Sequence, residues 1–277
     1  LFIPHLQLQA LYLLAIPAKI DGHTVVGVEN KAFYESKITE LIFPDTLEAV
    51  GNFAAMYCTE LKKVSFGKNI KIIGVSAFES RGNNANETGD GKLQEIIFNG
   101  APETIRQKAF QCADKLQEIV IPNGVKTIEN WAFAKCYSAD KIILGDGLEL
   151  IGDHAFLKCK NAKEVIIPGS CNAIEDSAFY QCTGIEALTL AEGIEVIGKG
   201  AFEECTALKA VTVPESVRTI EKYAFYNCTA LEECVIGNPQ IMENDIFTND
   251  KTVKIIAESK SAAEKYAKDN NIKTETP

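Results

Sequence analysis

The chain has 277 residues, 46% of them hydrophobic and 24% charged, so it carries enough apolar side chains to bury a sizeable core. Its 28 basic residues are outnumbered by 38 acidic ones, and the net charge of −10 argues against nucleic acid or an anionic membrane as a partner. No run of eighteen or more apolar residues occurs, which predicts no membrane insertion within the chain. The first stretch, Leu1 to Ile16, is apolar but lacks a basic start and a small-residue cleavage site, so it makes a poor signal peptide. With no initiator Met, the sequence reads as a mature or trimmed fragment whose export signal or surface anchor lies outside it.

Next come Ile16-Pro17, Asp21-Gly22, Val25 and Val28, a stretched first coil that leads into Ala32-Phe33. From there the chain repeats itself, and the repeat decides the fold class. The slot of Phe33 is filled by Ala55 and Phe78, then by Phe110, Phe133, Phe156, Phe179, Phe202 and Phe225, which step by 23 residues, and finally by Phe247. Ala precedes Phe in each of the six regular steps. Three residues after the Phe slot stands cysteine, at Cys58, Cys136, Cys159, Cys182, Cys205 and Cys228. Each repeat also holds an alternating run ending in Pro or Gly, such as Ile119, Ile121, Pro122, which predicts a short strand. A second apolar pair follows it, such as Val125 with Ile128. One repeat is therefore read as strand, turn, second short strand and a compact helical turn seated by Ala-Phe. A lone coil of this kind cannot bury its apolar side, whereas stacked coils bury a continuous core.

The spacing breaks once, between Phe78 and Phe110, where 32 residues replace 23 and the extra ones read as a surface loop over 81–92. Toward the end, Ser259 to Asn271 reads as a short helix that turns Tyr266 and alanines inward as a cap. The predicted organisation is one solenoid domain over 1–277: a cap or first coil at 1–31, the array at 32–247 and a C-terminal cap at 248–277.

At this point the residues resemble the BspA-like leucine-rich repeat family, through strand, Ile-Pro, Val-x-x-Ile, Gly, Ala-Phe, x-x-Cys and the closing Ser261-Ala262-Ala263-Glu264-Lys265-Tyr266-Ala267. The resemblance covers roughly residues 14 to 273. It implies a right-handed leucine-rich-repeat solenoid of short parallel strands and short helical turns. It further implies a bacterial or protist protein that is secreted or held at the cell surface, some members binding extracellular-matrix proteins or mediating adhesion. Ala55 in a Phe slot, and Arg81 and Ala113 in Cys slots, depart from the pattern.

Chemistry is sparse. The ladder cysteines read as buried reduced thiols, because parallel inward side chains seldom reach disulfide torsions. Cys171 and Cys234 fall in core slots, while Cys112, one residue short of the ladder, is the candidate for a reactive thiol. No Cys-x-x-Cys pair supports zinc. His5, His23 and His154 stand alone, with no spacing for a metal or a nucleophile's base. Loop residues Glu87 and Asp90 offer a weak calcium site, against the simpler reading of a solvated loop, and Asn86-Glu87-Thr88 is a sequon only in a secretory host. No catalytic, cofactor or metal residues are assigned.

The most informative constellation comes from the strand period of two, which sends alternate residues to solvent. Between the inward residues lie Ile42, Ser65, Ile97, Val120, Ile143, Ile166, Thr189, Thr212 and Val235. A second column holds Glu40, Lys63, Glu95, Glu118, Lys141, Glu164, Ala187, Ala210 and Glu233. The apolar strip from Ile97 to Ile166, flanked by Glu95, Glu118, Lys141 and Glu164, suits a partner-binding face for a protein or glycan. The plainer explanation is that β-branched residues simply suit exposed strands. The sequence thus points to a non-catalytic, monomeric adhesin or interaction scaffold. The competing readings are a structural spacer and a carbohydrate-active enzyme on a parallel β-helix, which requires clustered Asp, Arg, Lys or His that the columns do not show.

Overall fold

The structure, a computed structural model, describes residues 1–4, 13–82, 90–248 and 253–277. The chain winds as a parallel-strand solenoid of about 11 turns. Each regular turn contributes one longer and one two-residue strand. Glu118–Ile121, Lys141–Leu144, Glu164–Ile167 and Ala187–Leu190 pair in that order as a four-stranded parallel sheet. In the first of these strands Ile119 and Ile121 are buried while Glu118 and Val120 are exposed, the alternation a strand with one buried face requires. A like sheet precedes it, ending at Glu95–Phe98, and another follows it, starting at Ala210–Val213. The two-residue strands, from Phe2–Ile3 to Ile241–Met242, form one eleven-stranded parallel sheet. Near the start, Lys19–Ile20 and His23–Thr24 form an antiparallel hairpin. Its turn is Asp21-Gly22, both at positive φ, as a two-residue hairpin loop demands.

The segment around Ala-Phe differs from the expected helical turn. Its residues two before and two after the Phe are left-handed, as at Trp131 (φ 63°) and Lys135 (φ 64°), His154 and Lys158, or Ser177 and Gln181. An α-helix needs consecutive right-handed residues, so two left-handed ones four apart exclude it. The arch instead splits its donors. The N–H groups of Trp131, Phe133 and Lys135 donate to the carbonyls of Asp153, Ala155 and Leu157 in the next coil, at 2.9, 2.8 and 2.6 Å. Those of Ala132 and Ala134 close local turns onto Glu129 and Trp131. The arches thereby form a third inter-coil ladder, and no buried N–H among these five is left without an acceptor. Among the described residues the single helix is Ala262–Asp269.

The rings in the Phe slots make the axis of the core. From Phe78 through Phe110, Phe133, Phe156, Phe179, Phe202 and Phe225 to Phe247 they stack with centroids 5.0 to 5.7 Å apart. Ala55 interrupts the column, and the strand side fills the space. Phe66 meets Phe78 edge-on at 5.6 Å and Phe43 does so at 6.5 Å, in inward strand positions that are aliphatic from Ile121 onward. The ladder cysteines have a specific task. Cys182 Sγ donates to the carbonyl of Phe156 one coil back at 3.1 Å, and Cys58, Cys159, Cys205 and Cys228 do the same to Phe33, Phe133, Phe179 and Phe202. Ser36 takes the slot in the first coil, its Oγ 3.3 Å from Cys58 Sγ.

The helix closes the array in the same terms. Ser261 caps it by accepting from the Glu264 N–H at 3.1 Å, and Ala263, Tyr266 and Ala267 are buried against the last coil. Tyr266 Oη accepts from the N–H groups of Ile246 at 2.9 Å and Phe247 at 3.4 Å, the latter an arch donor that has no further coil to bond.

Two stability predictions follow from this frame. Phe156→Ala removes a fully buried ring from between two stacked neighbours, and should lower the unfolding free energy by about 3–5 kcal/mol in urea denaturation. Lys108→Gly relieves a left-handed φ of 58° and should raise it by about 0.5–1 kcal/mol. A decrease on placing glycine at 108 would contradict the arch geometry.

Candidate functional site

The outward column of the longer strands is the surface with the clearest chemistry. Register pairs Val120 with Ile143, Ile143 with Ile166, and Ile166 with Thr189, each on an adjacent strand. Neighbouring strands lie about 4.8 Å apart, so the three apolar side chains are contiguous. They are exposed at 43%, 49% and 52%, which places them among the most exposed large hydrophobic residues of the chain. The flanking column brings Glu118 beside Lys141, their side chains paired at 3.2 Å, with Glu164 on the next strand. A depression of about 570 Å³ opens on this face, lined by Asp140, Lys141, Ile143, Lys163, Glu164 and Ile166 among others.

Ile97 and Glu95 lie on the adjacent coil but outside the strand ladder of Val120, Ile143 and Ile166. They sit on the last strand of the preceding sheet, where Ile97 pairs with Ser65 and is half-buried, and Glu95 pairs its charge with Lys63 at 2.8 Å. No ladder joins Glu95–Phe98 to Glu118–Ile121. The inward position changes there from phenylalanine (Phe43, Phe66, Phe98) to aliphatic (Ile121, Leu144, Ile167). A second break separates Ala187–Leu190 from Ala210–Val213, where the inward residues are aliphatic on both sides. Phe98 remains stacked on Phe66 at 5.2 Å, tied to the earlier sheet.

Other expected residues fall elsewhere. All nine cysteines are buried and free, Cys112 included, and burial pushes the Cys112 and Cys58 thiols up to about 11 and those of Cys171 and Cys205 up to about 12. Cys112 is therefore not the poised thiol its position suggested. His154 does not stand alone: its ring stacks on Trp131 with centroids 4.2 Å apart, and its Nδ1 bonds the Asp153 carboxylate. The 23-residue offset between Trp131 and His154 was the available signal, since it puts both on the same left-handed corner of successive coils. Asp140 and Lys163, one step outside the expected columns, also line the depression; each is exposed in the residue just before its strand begins, where the strand alternation no longer applies. Of the loop, Arg81 binds Glu35 and lies 4.9 Å from the Tyr57 ring centroid, while Asn86 and Glu87 lie outside the described residues, as does His5. Among the described residues no three His, Cys, Asp or Glu are grouped to hold a metal ion. None of their helices is long and apolar enough to cross a membrane.

Comparison with known proteins bears on what this surface is. A family model described as the BspA type leucine-rich repeat region matches in six copies, over residues 26–96, 83–206 and 172–267. A leucine-rich repeat protein from Bacteroides ovatus has a crystal structure similar to this one, with 28% sequence identity and a TM-score of 0.70 over 90% of this chain. This chain spans 64% of that protein's length. A leucine-rich cell surface protein from Faecalibacterium prausnitzii is similar at 20% identity with a TM-score of 0.45, covering 100% of this chain and 94% of its own. The pneumococcal vaccine antigen PcpA is similar at 17% with a TM-score of 0.47, covering 100% and 91%. No curated protein matches.

The thiols give a check on the burial described here. With pKa values of about 11, Cys58 and Cys112 hold only about one thiolate in a thousand at pH 8 in the folded chain. Alkylation by iodoacetamide, followed by mass spectrometry, should be slow at pH 8, rise about tenfold per pH unit toward pH 11, and reach all nine thiols on denaturation. Alkylation of Cys112 at the rate of a free thiol at pH 8 would contradict its burial.

Proposed function

The chain belongs to the BspA-type leucine-rich repeat family, and on that premise we propose that it is a non-catalytic binding module of a secreted or surface-held protein, serving adhesion or interaction. The carrying observation is the contiguous exposed column of Val120, Ile143 and Ile166 on a hydrogen-bonded sheet, bordered by Glu118, Lys141 and Glu164 and opening on a depression. Single exposed apolar residues are ordinary, whereas a run of three on adjacent strands beside a concavity is the form a protein contact takes. The surface-protein character of the family supports placement outside the cell. The partner on this reading is a protein, with extracellular-matrix proteins and glycans the classes to screen, and the chain acts as a monomer.

The purified chain should bind at least one member of an array of matrix proteins and glycans, and Val120→Lys with Ile143→Lys and Ile166→Lys should abolish that binding while circular dichroism stays unchanged. Binding that survives the three lysines moves the site off this face. No binding to any member favours a spacer, for which the unbroken ring stack from Phe78 to Phe247 is well suited.

A further inference from the structure

The depression beside the isoleucines is charged on one side only. Its lining includes two lysines and two acids, Lys141, Lys163, Asp140 and Glu164. Both lysines are already engaged, Lys141 with Glu118 and Lys163 with Glu186, each at 3.2 Å. Asp140 and Glu164 make no ion pair among the described residues. Two carboxylates therefore stay uncompensated beside two side chains, Ile143 and Ile166, that are about half exposed. The far side of the column adds no positive charge to offset them, since Pro122, Gly145 and Pro168 follow the strands and then Asn123 and Asp146.

Apolar contact and charge reinforce each other in such a place. A partner segment whose aliphatic side chains cover Ile143 and Ile166 displaces water, and the attraction between its cations and the adjacent carboxylates then acts through a lower effective dielectric. An acidic segment meets the opposite: two fixed like charges at the rim and a chain of net charge −10 around them. A neutral polar segment leaves both isoleucines with nothing to cover them.

Resting on the reading of this face as a binding surface, we propose that the depression takes a basic and apolar segment of a partner protein, its aliphatic side chains on Ile143 and Ile166 and its lysine or arginine side chains on Asp140 and Glu164. Asp140 and Glu164 thereby set the charge of the partner, and the isoleucines set its apolar content.

The test is calorimetric titration of the full chain with three capped octapeptides in which leucine alternates with lysine, serine or glutamate. The lysine peptide should bind most tightly and the glutamate peptide not at all. Asp140→Asn with Glu164→Gln should weaken the lysine peptide about five- to tenfold, and Ile143→Ser with Ile166→Ser should abolish its binding. A control that neutralises two exposed acids elsewhere, Glu149→Gln with Glu258→Gln, should leave it within about twofold. Equal affinity for the lysine and serine peptides, both lost in the isoleucine variant, overturns the charge assignment and leaves the face standing as a binding surface. Binding that ignores the isoleucines and falls as much in the control is diffuse attraction to an acidic chain, and overturns both. Failure of the lysine peptide to bind overturns the proposal outright.

Discussion

Each coil of this solenoid leaves a set of backbone N–H groups that it cannot satisfy itself and must hand to a neighbouring coil. The longer strands do so across their sheets, the two-residue strands across the eleven-stranded sheet, and the arches through the residues two before, at and two after each Phe. A buried amide without an acceptor is too costly to leave. The repeat length is therefore held close to 23 wherever coils are regular, and a longer coil can place its extra residues only where no ladder runs. The loop between Phe78 and Phe110 meets that condition: Phe78 N–H still reaches the carbonyl of Ala109 at 2.8 Å across the insertion. The same constraint bears on the last coil, where Tyr266 Oη stands in for the carbonyl that a further arch would offer Phe247 N–H.

Within that frame the side chains solve a packing problem at each level separately. The Phe carbonyl lies in the core with room for two donors, and it receives the N–H of the residue three ahead and the thiol of the following coil. Phe156 O, for example, takes Cys159 N at 3.2 Å and Cys182 Sγ at 3.1 Å. Cysteine suits the slot because it is small and apolar yet carries a weak donor. Serine takes the slot at position 36 in the first coil, where its hydroxyl contacts the Cys58 thiol instead. Ala55 shows how volume is conserved when one slot fails: a methyl where a ring belongs is answered by rings from the strand side, at positions where other coils are content with isoleucine or leucine.

The repeat length, the two sheets, the inward and outward columns and the capping helix were legible because each follows from periodicity and from which side chains avoid water. The arch was not. Its left-handed residues include lysine, tryptophan, histidine, serine, glutamine and tyrosine, and among those described only Gly200, Asn227 and Asp245 are of types that favour the left-handed region. Such a conformation is imposed by the ladder to the next coil, a tertiary demand that overrides local preference. The sheet breaks after Phe98 and after Leu190 were hidden because the alternating apolar pattern runs across both. The stack of Trp131 on His154 escaped because neither residue belongs to the repeat signature, although the repeat offset brings them together.

The outward column is where the fold makes the least demand, and that is what gives its composition meaning. The plain explanation for Val120, Ile143 and Ile166 is strand propensity. Threonine has that propensity too, and Thr189 and Thr212 occupy the same column with buried neighbours on both sides and regular strands around them. Ser65 holds the position in an equally regular strand. The coils thus accept a hydroxyl in this position without loss of pairing, and a hydroxyl keeps the surface wet. Three consecutive strands carry a bare hydrocarbon instead, beside two carboxylates that make no ion pair among the described residues. Stability of the coil does not ask for that arrangement, whereas contact with a partner does.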